Sequence, residues 1–533
     1  MGTDWLTDAV IYEIYPQSFA DSNGDGIGDL RGVIDRLDYI ASLGVDAIWF
    51  NPCFASPFRD AGYDVADYVS IAPRYGSNAD LVELVANARE RGIRVILDLV
   101  VGHTSTDHAW FQEERAAAGP NPLGDRYIWR TDEPSVGWGI DLPGIPAWVP
   151  SPGPRPGWYL KNFYDSQPAL NFGWVRTDPE QPWRDGVDSP GPQRNRAALR
   201  EIIDFWLSRG VAGFRVDMAF SLVKDEGLVD GQRASVEIWR EIREWLDVAY
   251  PEAVLLPEGD EPRTGAPFAF SADFALVIFG AHASLFDNHA AGTLPWKTPG
   301  EPFFGAAGAG STATFLQAWA RWHTDDPARR VVLASADHDF SRLRCGDRTP
   351  EQLGAAFTFL FTFGTIPSLY YGDEIGMRYL PGMPNVEGAV CNPGYNRAGC
   401  RTPMQWDDGP NAGFSSAPAD ALYLPVDPAT DRPTVAAQDG VAGSTLSLVR
   451  SLLALRRATP ALQGHAPTRV VHPGYPLAYA RGETHLVVVN PRREPTLLSA
   501  PEAQAAQFVW GAGAEVRDGA IALDGFGYGI FAI

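Results

Sequence analysis

Cysteine is scarce, positive charge is in deficit, and long uncharged runs are all but missing. Cys53, Cys345, Cys391 and Cys400 are the whole thiol complement. They lack the density of a disulfide scaffold and the close pairing of a zinc site. Cys391 and Cys400 are spaced either to bridge within one Gly-rich loop or to stand as free thiols. Lys plus Arg number 43 against 66 Asp plus Glu, a formal charge of −23. A field of that sign repels phosphate backbones and anionic lipid, which argues against nucleic-acid and membrane-surface roles. The opening Met1-Gly-Thr-Asp-Trp5 has neither a basic region nor an apolar signal core, so a cytoplasmic location is expected. One uncharged run, Leu353 to Gly372, is long enough to cross a bilayer. Gly364 and Pro367 interrupt it, and it reads as a buried helix running into a buried strand.

The chain does have length and apolar mass: 533 residues, 45% hydrophobic and 20% charged, enough for a large core with attachments. Strand and helix patterns alternate from the start, the signature of a parallel sheet with crossover helices. Strands are expected at Val10–Tyr15, Ala47–Phe50, Ile93–Val101, Gly213–Asp217, Val254–Leu256, Ala272–Ile278, Val331–Ala334 and Ser368–Tyr371. Between them, helical spacing predicts helices over Leu30–Ala41, from Ser77 to Gly92, over Ala198–Leu207 and over Ala234–Tyr250. Eight such strands predict a (β/α)8 TIM barrel. From His103 to Trp174, Gly, Pro and Trp accumulate without a period, which reads as an irregular insertion after the third strand. A helix over Thr445–Ala458 precedes short alternating stretches. The expected organisation is barrel over 1–102 and 176–464, insertion over 103–175, and an antiparallel β-sandwich domain over 465–533.

Barrels of this kind carry their chemistry at the C-terminal strand ends. Asp217 ends the fourth strand, Glu258 follows the fifth and Asp339 follows the seventh. An isolated Asp is usually a helix cap or ion-pair partner; three acids on three strand ends, with Arg215, His103 and His338 nearby in sequence, are not explained that way. The fourth and fifth strands are neighbours, so their carboxyls can meet. A retaining glycosidase needs such a pair about 5–5.5 Å apart, one attacking the anomeric carbon and one protonating the leaving oxygen. Asp217 reads as the nucleophile, held ionised by Arg215 on the same strand face. Glu258 closes an apolar run, Ala253 to Pro257, and reads as the acid with a raised pKa. Asp339 reads as the stabiliser of oxocarbenium charge or a grip on sugar hydroxyls.

These motifs together resemble the α-amylase family of glycoside hydrolases and transglycosylases over nearly the whole chain. Asp98-Leu-Val-Val-Gly-His103, Gly213-Phe-Arg-Val-Asp217, Leu256-Pro-Glu258 and Asp337-His-Asp339 resemble its third-, fourth-, fifth- and seventh-strand segments. Gln167-Pro-Ala-Leu-Asn171 resembles the segment closing its inserted domain. The resemblance implies the same three catalytic roles, and implies that Tyr63, Asp64, His103, Arg215 and His338 line the glucose subsite. Tyr63 would stack on a sugar face, with packing as its alternative. Asp21 to Asp29, Gly62-Tyr-Asp64 and Arg401-Thr-Pro-Met-Gln-Trp406 look like the oligo-1,6-glucosidase, α-glucosidase and trehalose synthase branch. Asp64 and Arg401 would then bind the terminal 4-hydroxyl, with Arg397 as a rival for Arg401. Gly102 stands where the family often has a calcium-binding Asn, Asp337 replaces an Asn and adds charge to the rim, and Met218 leaves linkage preference open.

Asp21, Asn23, Asp25 and Asp29 match the first nine positions of an EF-hand loop, with Gly26 at its sharp turn. The twelfth position is Gly32, where an EF-hand needs a bidentate Glu, so that motif fails. By the resemblance, the loop holds one structural Ca2+ or Mg2+ with the Ile27 carbonyl as an added ligand; an unmetallated turn is the alternative. No organic cofactor is expected. The expected function is an exo-acting retaining α-glucosidase on short α-glucosides. The alternative is an α-glucosyl transferase or trehalose synthase-like isomerase, whose choice of acceptor over water depends on how tightly loops such as Met377–Asn396 close the site. The expected partner is a small α-glucoside, with no nucleic acid and no membrane, for a monomer or small homo-oligomer.

Overall fold

The computed structural model describes residues 2–134, 147–225, 229–259, 269–275, 280–286, 301–305, 307–326, 328–387 and 396–533. Eight strands form one parallel sheet: β1 Ile11–Ile14, β2 Ala47–Phe50, β3 Arg94–Val100, β4 Gly213–Asp217, β5 Val254–Pro257, β6 Asp273–Ala275, β7 Val331–Ala334 and β8 Ile366–Tyr370. They pair in the order β5-β4-β3-β2-β1-β8-β7-β6. Across the remaining gap the Ser271 N–H donates to the Leu255 carbonyl at 2.9 Å, so the sheet curls into a nearly closed barrel. The expected eight strands are all present. Leu276 to Ile278 of the expected sixth strand lie outside the described residues. Pro367 sits inside β8, not before it, opposite Leu333 of β7.

Local chemistry sets the helix starts. Ser77 caps the helix Asn78–Glu90 through a reciprocal box with Asp80. The expected helix over Leu30–Ala41 forms as two, Leu30–Asp35 and Leu37–Leu43, parted at Arg36. The helix before β4 begins at Pro190, eight residues ahead of the expected Ala198. Proline at the first helical position loses no hydrogen bond, so a stretch that reads as loop is in fact a helix start. The uncharged run becomes the helix Pro350–Thr362, buried from Gln352 onward, followed by β8. Among the described residues no helix is long and apolar enough to cross a membrane.

Strand alternation divides the barrel interior into layers. Ile11, Trp49, Ile96, Leu256, Phe274, Val332 and Ile366 pack together as an apolar cluster. Two residues further along β1, β2, β3 and β5 come Glu13, Asn51, Asp98 and Glu258, and Asp98 lies in register with Arg215 of β4. The polar layer therefore rests directly on an apolar one.

The insertion after β3 is more regular than its sequence suggests. It contains a helix, Ala109–Ala116, and a sheet of Trp129–Arg130, Trp158–Leu160 and Trp148–Pro150. Strands of two or three residues are too short to show a period, and aromatic packing of Phe111 on Tyr127, Trp129 and Tyr159 holds them instead. Beyond the helix Thr445–Ala458 lies a six-stranded antiparallel sheet: β9 Thr468–His472, β10 Leu477–Arg481, β11 His485–Val489, β12 Thr496–Leu498, β13 Gln507–Arg517 and β14 Ala520–Ala532. Removing the cap with Ser77→Ala should lower stability by about 1 kcal/mol without changing activity, read from denaturant midpoints at constant slope.

Candidate active site

The polar layer converges on one guanidinium. Arg215 Nη1 donates to Asp98 Oδ1 at 3.0 Å and to Asp217 Oδ1 at 3.0 Å, and Nη2 lies 2.9 Å from Glu258 Oε1. The β4–β5 ladder continues through the Glu258 N–H to the Val216 carbonyl at 2.8 Å. The chain turns at Met218 with φ +43°, which aims its N–H at Glu258 Oε2, 2.8 Å away. Burial, and then the Glu258 carboxyl within hydrogen-bonding reach, push Asp217 well above the ordinary carboxylate range. Burial likewise pushes Asp98 up to about 6. The expected setting is altered in two respects. Asp217, expected to be held ionised by Arg215, is instead driven toward its protonated form by burial and by Glu258. Glu258 does not sit in an apolar pocket: its carboxyl receives Arg215 and the Met218 amide, while Val254 and Leu256 before it pack into the layer below.

Asp339 faces the opposite electrostatic environment. Its Oδ1 accepts from Arg397 Nη1 at 2.9 Å and Arg401 Nη2 at 3.0 Å, and Oδ2 lies 3.5 Å from His338 Nε2. Against the upward push of burial, the guanidiniums of Arg397, Arg401 and Arg215 hold Asp339 well below the ordinary range. Tyr63 stacks on His338 with centroids 5.5 Å apart, its hydroxyl 2.6 Å from Nε2 and 3.2 Å from Asp98 Oδ2. Thus Asp217, Glu258, Asp339, Tyr63, Arg215, His338 and Arg401 all meet at the C-terminal end of the barrel.

Asp64 does not join them. Its carboxyl accepts from Ser56 Oγ and from the Arg59 and Asp60 amides, which winds its own turn. The acid that reaches into the site is Asp60, four residues earlier, bound to Arg397 Nη2 at 2.5 Å and to Gln167 Nε2 at 2.7 Å. Arg397 therefore bridges Asp60 and Asp339, while Arg401 lies behind, its Nε on the His338 carbonyl at 2.7 Å. Nothing in the spacing around Gly62 distinguishes Asp60 from Asp64; only the fold of the turn does. His103 also has both nitrogens engaged, Nε2 3.0 Å from the Tyr63 carbonyl and Nδ1 3.1 Å from Asn162 Nδ2. Burial lowers it to about 4, so the ring is neutral.

Two departures from the family pattern acquire a physical setting. A Cβ on Gly102 would stand 2.6 Å from Asn162 Nδ2, and the Lys224 ammonium lies 3.2 Å from Asn162 Oδ1. A protein cation already occupies the corner beside Gly102. Asp337 is buried and off the rim, its Oδ1 receiving the Asp339 and Phe340 amides. Cys400 is a buried free thiol 3.2 Å from the His338 carbonyl; Cys391 lies outside the described residues.

The acidic turn at residues 21–29 lies apart from these groups. Asp21 accepts from the Asn23, Gly24 and Gly26 amides, Asn23 from Asp25, and Asp25 from Ile27. Asp29 caps the following helix through the Gly32 amide at 2.6 Å. Among the described residues no three His, Cys, Asp or Glu side chains are gathered as an ion cage. The donors are nevertheless hard oxygens, of the type Ca2+ and Mg2+ take, with Asn23 and the Ile27 carbonyl available beside the acids.

Comparison with known proteins fits this geometry. Residues 13–464 match the family model of the alpha amylase catalytic domain. A probable alpha-glucosidase of Rhizobium meliloti is 32% identical over 86% of this chain and 84% of its own length. The trehalose synthase/amylase TreS of Mycobacterium tuberculosis is 32% identical over 92% and 82%. The crystal structure of the trehalulose synthase MutB of Pseudomonas mesoacidophila superposes over 100% of both chains with TM-score 0.80 at 27% identity. Breaking the buried Asp60–Arg397 pair with Asp60→Ala should cost roughly 3 kcal/mol, because it removes a buried carboxylate that compensates Arg397. Chemical denaturation should show that cost shrinking in an Arg397→Met background, and equal costs in both backgrounds would mean the two side chains are not coupled.

Proposed function

This chain belongs to the α-amylase family of glycoside hydrolases and transglycosylases, and we propose that it is a retaining, exo-acting α-glucosidase releasing the terminal glucosyl unit of short α-glucosides. The observation that carries this reading is the meeting of Asp217 and Glu258, from adjacent strands, on the two arms of Arg215. A sugar lying over the pair would place its anomeric carbon at Asp217 and its glycosidic oxygen at Glu258. Asp217 attacks, the C1–O bond breaks, and the proton held by the carboxyl pair passes to the leaving oxygen from Glu258. Water, deprotonated by Glu258, then attacks the glucosyl ester and restores Asp217. Asp339, kept anionic by two arginines, faces the positive charge that develops at the ring. Asp60 and Arg397 would grip the terminal glucose and close that end of the pocket, which favours an exo mode.

A second reading is supported by the likeness to TreS and MutB: the glucosyl-enzyme is captured by a sugar hydroxyl instead of water. Both readings use every residue above. Timed incubation with maltose, sucrose, isomaltose and trehalose separates them. Steady glucose release with few new disaccharides supports hydrolysis, and isomeric disaccharides with little free glucose would replace it with transfer. In either case Asp217→Asn should lower turnover at least 10³-fold while the thermal midpoint stays at or above that of the parent. More than a few per cent residual activity would remove Asp217 as nucleophile.

We further propose that Asp21, Asn23, Asp25, Asp29 and the Ile27 carbonyl hold a structural Ca2+ or Mg2+, away from the reacting groups. Chelation should lower the thermal midpoint by a few degrees, and added Ca2+ or Mg2+ should restore it. An unchanged midpoint would leave the turn as a purely hydrogen-bonded element.

A further inference from the structure

Beneath Asp339 lies a carboxyl that the mechanism above does not use. Glu13 of β1 is fully buried, and among the described residues no Lys or Arg lies within ion-pair distance of it. Its Oε1 is 2.7 Å from His338 Nδ1 and 3.0 Å from Asn51 Nδ2, and Asn51 Nδ2 is itself 2.9 Å from His338 Nδ1. Among the described residues Oε2 has no hydrogen-bond partner. The charges acting on Glu13 are Asp337 and Asp339, which favour its protonated form, and Arg215, which opposes them.

Proton counting around the ring restricts what Glu13 can be. The Asn51 amide donates to Glu13 Oε1, so the state of Nδ1 is set from the other side of the ring. At the far nitrogen, the Tyr63 hydroxyl is 2.6 Å from Nε2 and has Asp98 Oδ2 as its own acceptor at 3.2 Å, so it accepts from an Nε2–H. Asp339 Oδ2, held anionic by two arginines, lies 3.5 Å from the same nitrogen and would repel a bare lone pair there. With the ring proton on Nε2, a 2.7 Å contact at Nδ1 is bonding only if Glu13 supplies a hydrogen. We propose that Glu13 is a positioning residue: a neutral carboxylic acid that donates its O–H to His338 Nδ1 and fixes the Nε2–H tautomer, so that the ring's one N–H is directed at the Tyr63 hydroxyl and Asp339, the edge that a neighbouring sugar would meet. Burial raises Glu13 well above the ordinary carboxylate range and lowers His338 well below the ordinary imidazole range, consistent with both groups being neutral. The sugar contact rests on the proposed function; the tautomer does not.

Nitrogen-15 NMR of the full chain labelled at histidine, with His338 assigned by its loss in His338→Asn, tests this directly. A pyrrole-type Nε2 and a pyridine-type Nδ1 are expected at neutral pH. Glu13→Gln, whose amide N–H can make the same donation, should keep that pattern. Glu13→Leu should give a mixed or inverted tautomer and a kcat/KM for an α-glucoside at least tenfold below that of Glu13→Gln. A proton on Nδ1 in the parent protein would overturn the proposal by making Glu13 an acceptor. So would Glu13→Leu with an unchanged His338 spectrum. If Glu13→Leu does not fold, the parent and Glu13→Gln spectra still decide. Failure to turn over any α-glucoside would overturn the proposed function while leaving the tautomer result to judge Glu13.

Discussion

One buried guanidinium organises the site. Arg215 is charged at every accessible pH, and enclosing it would be prohibitive without partners. Asp98, Asp217 and Glu258 supply them from three adjacent strands, β3, β4 and the end of β5. Three acids around one cation leave a surplus of negative charge, which the site relieves by holding protons. Burial first, and then the neighbouring carboxyls, raise Asp217 and Asp98 together.

Across the pocket the balance is reversed. Asp339 meets Arg397 and Arg401 and keeps its charge. Carboxyls in one enclosure are therefore driven apart in proton affinity by their partners, which is the general condition for dividing acid, nucleophile and electrostatic roles among like residues. Asp60, Arg397 and Asp339 form a continuous buried chain, so the proposed sugar grip and charge stabilisation would share an arginine. His338, between Glu13 and Tyr63, links the two halves.

The barrel makes this arrangement affordable because its polar layer stands on a dry one. Trp49, Ile96 and Leu256 bury their surface in the layer below, and the next inward residues on the same strands are Asn51, Asp98 and Glu258. A one-residue slip in any of these strands would turn its polar group out among the helices and bring an apolar one into the pocket. The register that packs the core is therefore also the register that assembles the chemistry.

Strand alternation, the strand-end acids Asp217, Glu258 and Asp339, and the helix that follows Ser77 were legible from the chain alone, because each depends on periodicity or on contacts a few residues apart. The long stretches of regular spacing were legible for the same reason, while the two- and three-residue strands of the insertion had no period to read. Which acid meets Arg397 was decided only in three dimensions. Asp60 and Asp64 are alike in sequence, but the turn between them closes on Asp64 and frees Asp60. The setting of Glu258 and the place of Glu13 under His338 were likewise invisible beforehand, since both depend on neighbours from other strands. Local spacing determined which residues stand at the strand ends; the closure of the barrel, bringing residues hundreds of positions apart within 3 Å, decided which of them share protons and charge.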